Sequence, residues 1–194
     1  MFKYIFTLAL GVLVYFTYTN LPVKQGPGIK AEYSPTIKLL KWQKPFSFKE
    51  VTLTPRKEFG AEVRVIRKKN YYFDDFKEYS PTDLLVGWKD LSNGDVLGRF
   101  HAEITDRNYE FDLTTPPVPV SQLHDQTDLW HIIPSSDSIS DKLNEIREGH
   151  IIKISGLLVD VSNDNGMIRS TNISLDQQKK YSSFIVWVEE LEIK

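Results

Sequence analysis

The feature that most constrains this chain is an uninterrupted run of uncharged residues near its N-terminus. Residues 4–23 carry no charged side chain, and residues 4–18 are almost wholly apolar or aromatic. At about 1.5 Å of rise per residue, a helix of this length reaches roughly 30 Å, which is the hydrocarbon thickness of a bilayer. The small residues that signal peptidase requires do not follow the run, because 16–21 read Phe-Thr-Tyr-Thr-Asn-Leu. The sequence predicts a transmembrane anchor, or an uncleaved signal, over residues 1–21, with membrane contact through residues 4–21.

Two other interpretations of this run stay open, namely a signal peptide that is removed and a helix buried in a protein core. The orientation is also contested. A short N-terminal tail with only Lys3 before the run favours export of the body, whereas lysines after the run favour a cytoplasmic body under the positive-inside rule. We expect a single-pass membrane protein whose body is extracytoplasmic. The lysines that follow the run are Lys24, Lys30, Lys38 and Lys41.

The net charge of −2 hides a division along the chain. Residues 22–57 carry a local charge of +6, and residues 58–194 carry a local charge of −9. Glycines and prolines in 22–45 predict a basic linker, whose four lysines named above are either a solvated spacer or a contact for anionic lipid headgroups. A single globular domain is expected over 46–194. Because this body is acidic, nucleic acid is an unfavourable partner.

Cysteine is absent from the chain, so disulfides, thiol nucleophiles and cysteine-ligated metal sites are excluded. The histidines form no His-x-x-x-His pair, and no phosphate-binding glycine motif is present. We therefore expect neither a metal nor a cofactor. The four histidines are His101, His124, His131 and His150.

The body is predicted to be rich in β-structure. Alternating or β-branched segments predict strands at 46–48, 51–53, 61–65, 129–133, 150–161 and 184–188, and a hairpin is expected from 100 to 113 with its turn at 105–108. Gly156 is expected to bend or bulge the longest strand, and 162–166 is expected to turn it back. The fold class is therefore α+β, as a small partly open barrel or a rolled antiparallel sheet with one main helix, behind an N-terminal transmembrane helix.

Two helices are predicted within the body. The main one follows the capping serines 135, 136 and 138, with Ile139, Leu143 and Ile146 as its apolar stripe and Gly149 at its C-terminal end. A shorter helix is expected at 80–87, because Ser80, Pro81 and Asp83 match an N-terminal capping pattern. The aromatic and acidic segment before it, residues 71–78, has two interpretations. It either forms the rim of a ligand-binding site, or it packs against the sheet with its acidic side chains facing water.

Several of these segments contain short motifs that occur in a fixed order: Ser80-Pro81-x-Asp83-Leu84-x-x-Gly87-Trp88, His131-x-Ile133-Pro134, Arg147-x-Gly149, Gly156-x-Leu158-Val159 and Arg169-Ser170-Thr171. This pattern resembles a group of uncharacterised bacterial proteins with an N-terminal export or membrane segment. The resemblance covers roughly residues 79–188 and implies a bacterial cell-envelope location, but it implies no activity. The group has a Ser-Ser pair and a later Cys, where this chain has Ser170-Thr171 and no Cys.

We expect the protein to be a membrane-tethered envelope module that binds or scaffolds an unknown protein partner without catalysis. Its contact surface is predicted to join the 79–88 helix with the 129–134 strand. The alternative, which the sequence favours slightly, is that Trp88, Trp130 and His131 are buried in the core. The candidate binding residues are Asp83, Trp88, Trp130, His131, Arg169 and Ser170.

Two alternatives belong to other functional classes. A hydrolase or metal-dependent enzyme would centre on His131, with Asp83 or Arg169 nearby and a serine at position 80, 170 or 174 as nucleophile; no Gly-x-Ser-x-Gly motif supports it. An oligonucleotide-binding-like barrel would stack bases on Tyr71, Tyr72 or Trp88.

Overall fold

The computed structural model describes residues 2–173, 175 and 183–194. The predicted β-rich α+β class is confirmed, since a large sheet dominates and the helices are few. The helices are α1 (Phe2–Asn20), α2 (Gly94–Leu97), α3 (Val120–Asp125) and α4 (Asp137–Glu145). The strands are β1 (Thr36–Leu39), β2 (Phe46–Phe48), β3 (Val51–Asn70), β4 (Thr82–Gly87), β5 (Ala102–Thr105), β6 (Asn108–Phe111), β7 (Thr127–Pro134), β8 (Ile151–Asn163), β9 (Gly166–Arg169) and β10 (Phe184–Ile193).

The main sheet is partly closed around the long strand β3. Its order is β1-β3-β4-β7-β10-β8-β9, and β3 pairs with β8 as well as with β4. The sheet is mixed rather than antiparallel, because β7 and β10 run parallel. The sheet is rolled and partly closed but is not a barrel, and β1, β2 and β9 extend it beyond the strands β3, β4, β7, β10 and β8. The two strands predicted at 51–53 and 61–65 are one strand of 20 residues.

One face of the rolled sheet forms the main hydrophobic core. Side chains from β3, β4, β7, β8 and β10 converge there, and α4 packs against them. The outer face carries two further apolar clusters. One lies beneath the β5–β6 hairpin, and the other contains Phe76, Ile133 and Ile185. The candidate site lies on this outer face of β4 and β7.

The helix predicted at 80–87 is wrong, because these residues form β4. All six residues of β4 are buried, and the strand pairs with β3 on one side and β7 on the other. The serine-proline-aspartate signal is local, whereas the apolar sequence Leu84-Leu85-Val86 fits a strand covered on both faces. Long-range pairing therefore overrides the capping pattern.

The main helix is confirmed as α4. The Ser136 hydroxyl accepts a hydrogen bond from the Ile139 amide at 3.3 Å, which caps the N-terminus. The predicted C-terminal end at Gly149 is wrong, since α4 ends at Glu145. The Lys68 ammonium on β3 closes the helix there by donating to the carbonyls of residues 143, 144 and 146.

The predicted turns at 105–108 and 162–166 are confirmed by the β5–β6 and β8–β9 hairpins. At Gly156 the irregularity lies in the partner strand, because the β8–β10 register shifts between Val188 and Glu190. The final strand is longer than expected and continues to Ile193.

The segment 22–45, expected to be a linker, is attached to the body at several points. It contains β1, and Ala31 is buried in the main core. The Val23 amide donates to the Glu148 carbonyl at 2.7 Å, only three residues after α1 ends. Little free chain therefore separates α1 from the body.

The apolar N-terminal run forms α1, and the side chains of residues 4–14 are exposed along it. Crossing a bilayer takes about 20 apolar residues in one helix. Among the residues that the structure describes, no helix is long and apolar enough to do so. The transmembrane helix predicted over residues 1–21 is therefore not supported.

Candidate functional site

The centre of the candidate site is a buried carboxylate paired with an imidazole. The antiparallel register of β4 and β7 places Asp83 opposite His131, so their side chains lie side by side on the outer face. Asp83 is fully buried, and its Oδ1 lies 2.8 Å from Nδ1 of His131. Because a carboxylate accepts hydrogen bonds, Nδ1 carries the hydrogen and Asp83 sets the orientation of the ring.

A second chain segment inserts an arginine into this pair. Asp106 and Arg107 form the tip of the β5–β6 hairpin and both have positive φ angles, 49° and 61°. This strained turn directs Arg107 inward, where its side chain is 3% exposed. Its Nη1 donates to Asp83 Oδ1 at 2.9 Å, and its Nη2 donates to Asp74 Oδ1 at 2.6 Å and to the Ser80 carbonyl at 2.9 Å.

Aromatic rings hold the Arg107 guanidinium from the side. Its central carbon lies 3.8 Å from the centre of the Tyr71 ring and 5.1 Å from that of Phe76. Neither the Tyr71 hydroxyl nor Oδ2 of Asp83 has a hydrogen-bond partner among the described residues. Burial and the adjacent Asp83 carboxylate raise the pKa of Tyr71, so this hydroxyl stays protonated.

A second arginine approaches the imidazole from the other side. Nη1 of Arg169, the last residue of β9, lies 2.9 Å from Nε2 of His131. The guanidinium also lies over the Phe76 ring, with its central carbon 5.3 Å from the ring centre. Unlike Arg107, Arg169 is partly exposed. It therefore covers Nε2 of His131 at the surface of the protein.

Five charged or titratable side chains meet here, and we name them the charged cluster. Its two carboxylates bind one of its two arginines and not the other. Both carboxylates are hydrogen-bonded to Arg107, and this contact is the main reason why the pKa of Asp74 is lowered. Within the described chain, no carboxylate hydrogen-bonds to Arg169, whose partner is the His131 ring. The charged cluster consists of Asp74, Asp83, Arg107, His131 and Arg169.

Exposed apolar side chains lie in the two chain segments that supply Arg169 and Phe76. Met167 and Ile168 precede it on β9 and are 60% and 40% exposed. The segment that supplies Asp74 and Phe76 to the charged cluster also exposes Tyr72 and Phe73, the latter to 97%. Exposed aromatic and apolar side chains around an arginine are typical of protein interfaces. We name Arg169, Met167, Ile168, Tyr72 and Phe73 the Arg169 surface.

The structure brings together three of the six residues that the sequence singled out: Asp83, His131 and Arg169. Ser170 is exposed, and no hydrogen bond joins it to His131 in the described part of the chain. Trp88 and Trp130 point to the opposite face of the sheet, where they are buried in the main core.

The predicted contact surface between 79–88 and 129–134 is wrong as an exposed surface. These segments are the adjacent strands β4 and β7, and their residues are almost all buried. The exposed part of the site lies beside them, at the end of β9 and in the segment before β4.

Sequence reasoning missed Arg107, Asp74 and Phe76. Asp74 and Phe76 fell within a segment recognised as a possible rim, but nothing local marked either as an arginine ligand. Arg107 fell within a correctly predicted turn, in which an arginine at positive φ has no characteristic pattern. Only contacts between distant parts of the chain reveal its role.

A second buried acid lies apart from the charged cluster. Asp128 on β7 faces the main core, and its Oδ2 accepts a hydrogen bond from Nε1 of Trp130 at 3.0 Å. Burial raises the pKa of Asp128 well above its usual range. The hydrogen bond to Asp128 gives the indole N–H of Trp130 an acceptor inside the core.

The serine nucleophile that the hydrolase alternative requires is not found beside His131 in the described part of the chain. Ser80 Oγ lies 3.4 Å from Nη1 of Arg107 rather than beside His131, and Ser174 is outside the described residues. Nε2 of His131, which would act as the base, is engaged by Arg169. Over the described ranges, no group of three side chains from His, Cys, Asp or Glu is close enough to hold a metal ion.

The three aromatic residues considered for base stacking do not form a shared exposed surface. Trp88 is buried and the Tyr71 ring is covered by Arg107, so Tyr72 is the exposed one of these three residues.

Comparison of the chain with protein-family models, curated proteins and solved structures found no match.

Proposed function

We propose that the protein is a membrane-tethered binding module that recognises an acidic segment of a partner protein through the Arg169 surface. The observation that carries the proposal is the contact of Arg169 with a neutral acceptor, the imidazole of His131, in place of a carboxylate. A carboxylate from a partner can therefore make the charge-assisted, two-pronged hydrogen bond that arginine favours.

The surroundings of Arg169 support a protein partner. Its guanidinium lies over the face of the Phe76 ring, which limits the conformations of the side chain and so reduces the entropy lost on binding. The exposed side chains of Phe73 and Met167 would lose contact with water when covered. An acidic side chain flanked by apolar residues matches this combination.

Binding of short peptides tests the role of Arg169. We expect a blocked peptide with one central Asp between leucines to bind the full-length protein at least about ten-fold more tightly than its Asn counterpart, because a charge-assisted hydrogen bond contributes roughly 1.5–3 kcal/mol. Arg169→Gln removes this preference, and Arg169→Lys retains part of it. Fluorescence anisotropy of labelled peptides measures both.

The matched control for this experiment is Arg99→Gln, which removes an exposed arginine outside the charged cluster. The Asp preference should survive that change. Equal binding of the Asp and Asn peptides, or a preference that persists in Arg169→Gln, would contradict the proposal.

The part of the protein that we propose as the membrane tether is α1. Its described apolar side chains are exposed over residues 4–14, and covering them by lipid would remove a large apolar area from water. Lys24, Lys38 and Lys41 are exposed and Lys30 is partly exposed, so contact with anionic headgroups belongs to the same proposal.

Flotation with lipid vesicles tests the tether. We expect the full-length protein to float with vesicles that contain anionic lipid, and the double variant Leu8→Glu/Val12→Glu to remain in the dense fractions, because two charges one helical turn apart oppose burial in lipid. Leu113→Glu, at an exposed leucine of the body, is the control and should float normally. Flotation of the double variant to the same extent as the control would show that α1 is not the membrane contact.

A further inference from the structure

We propose that the Arg169 surface takes up one proton from solvent when it binds a carboxylate, and that Nε2 of His131 receives this proton. The inference rests on the proposed function, because it concerns how the same site engages the same class of ligand. It adds a proton to the binding equilibrium, and it assigns His131 as a direct donor to the ligand.

The hydrogen bonds define the protonation state of the imidazole before binding. Asp83 Oδ1 accepts the hydrogen of Nδ1, at 2.8 Å. A guanidinium can only donate, so Nη1 of Arg169, at 2.9 Å, requires a lone pair on Nε2. The ring is therefore neutral, with its hydrogen on Nδ1.

Protonation of Nε2 is incompatible with its hydrogen bond from Arg169. Nε2 becomes a donor, its bond with Arg169 is lost, and two positive groups then face each other at the surface. Asp83 Oδ1 remains the acceptor of the Nδ1 hydrogen in this form of the ring. An incoming carboxylate that accepts from both Nε2 and Arg169 separates these two cations, so carboxylate binding and proton uptake favour each other.

Charged groups from four elements surround His131. Asp83 lies on β4, Arg107 at the tip of the β5–β6 hairpin, Asp74 before the turn that carries Phe76, and Arg169 on β9. Arg107 is hydrogen-bonded to both carboxylates and faces Oδ1 of Asp83 rather than the ring. On β10, the residue opposite His131 is the uncharged Ile185. Arg169 is thus the charged group that responds directly to a proton on Nε2.

Among the described residues, the side chain that hydrogen-bonds to Nε2 is that of Arg169. The His131 side chain is 3% exposed, whereas Arg169, which lies over it, is partly exposed. Rotation of the Arg169 side chain towards solvent opens Nε2 without movement of β4 or β7. The same rotation brings the guanidinium to the ligand.

Calorimetry with the blocked single-Asp peptide tests the coupling. Binding heats measured in two buffers of different ionisation enthalpy give the number of protons taken up. We expect uptake approaching one proton per peptide near neutral pH, with affinity rising up to ten-fold per unit of falling pH. His131→Asn should bind without proton uptake and with an affinity independent of pH. Arg169-dependent binding by the natural sequence without proton uptake overturns the inference while leaving the proposed function intact.

A second measurement needs no peptide, so it separates the two proposals if no peptide binds. In the free full-length protein, NMR of the His131 ring nitrogens should show the Nδ1–H form at high pH. On acidification, the Arg169 side-chain NH signals should lose their protection in step with protonation of His131. Protonation of His131 with the Arg169 signals unchanged would overturn the inference, whatever the peptides do.

Discussion

Replacement of Asp83 by alanine is expected to destabilise the protein by about 3 kcal/mol, the lower end of the cost of breaking a buried ion pair. The change removes the acceptor of Nη1 of Arg107 and of Nδ1 of His131, and each of these side chains is only 3% exposed. Arg107 keeps Asp74 and the Ser80 carbonyl as acceptors, so the loss is partial. In urea unfolding followed by tryptophan fluorescence, we expect a lower midpoint with an unchanged slope.

Asp74→Ala is the matched control, because it removes the other carboxylate bound to Arg107 from a partly exposed position. Its effect should be at most about 1 kcal/mol, in the range of surface ion pairs. If Asp83→Ala costs no more than Asp74→Ala, the charged cluster does not anchor the hairpin as its geometry indicates. A double-mutant cycle with Arg107→Met then shows how much of the effect belongs to the Asp83–Arg107 pair.

Gly156→Ala is expected to have a comparable effect, a loss of about 3 kcal/mol. A Cβ at this position would lie 2.0 Å from the Trp187 carbonyl oxygen. That oxygen belongs to the backbone of β10, immediately before its register shift, and Gly156 is also paired with Phe59 of β3. Two strands must therefore separate to admit one methyl group, which places the cost at the upper end of overpacking penalties.

Gly60→Ala provides a control within the same sheet. A Cβ there would lie 4.0 Å from the Ile154 carbonyl oxygen, an ordinary contact, so a change of less than about 1 kcal/mol in either direction is expected. The midpoints of urea unfolding of the two variants make the comparison. Equal stability of the two variants would mean that β10 yields easily at its register shift.

Elements with strong local signals could be predicted from the sequence. The serine cap and apolar stripe of α4 lie within 11 residues, and both hairpins have recognisable turn residues. Such signals act between neighbours in the chain and do not depend on what packs against them. The prediction for β4 was wrong because its capping pattern was also local, whereas three paired strands decide its conformation.

The candidate site could be predicted only in part. Asp83, His131 and Arg169 were selected from the pattern that carries the resemblance, but their grouping depends on the β4–β7 register and on the return of β9 to the outer face. Trp88 and Trp130 belong to the same segments and nevertheless face the other way, because side chains alternate along a strand. Arg107 arrives from a separate hairpin and left no sequence signal.

Composition and local sequence specify the cysteine-free chemistry of this protein, its acidic body behind a basic segment, and the places of its main helix and hairpins. These properties follow from composition or from residues within one or two turns of each other. Tertiary contacts, in contrast, bring a carboxylate, an imidazole and two arginines from four separate elements into one site. Contacts of this kind depend on strand register and on loop conformation, and the free energy that selects them comes from burial across the whole sheet.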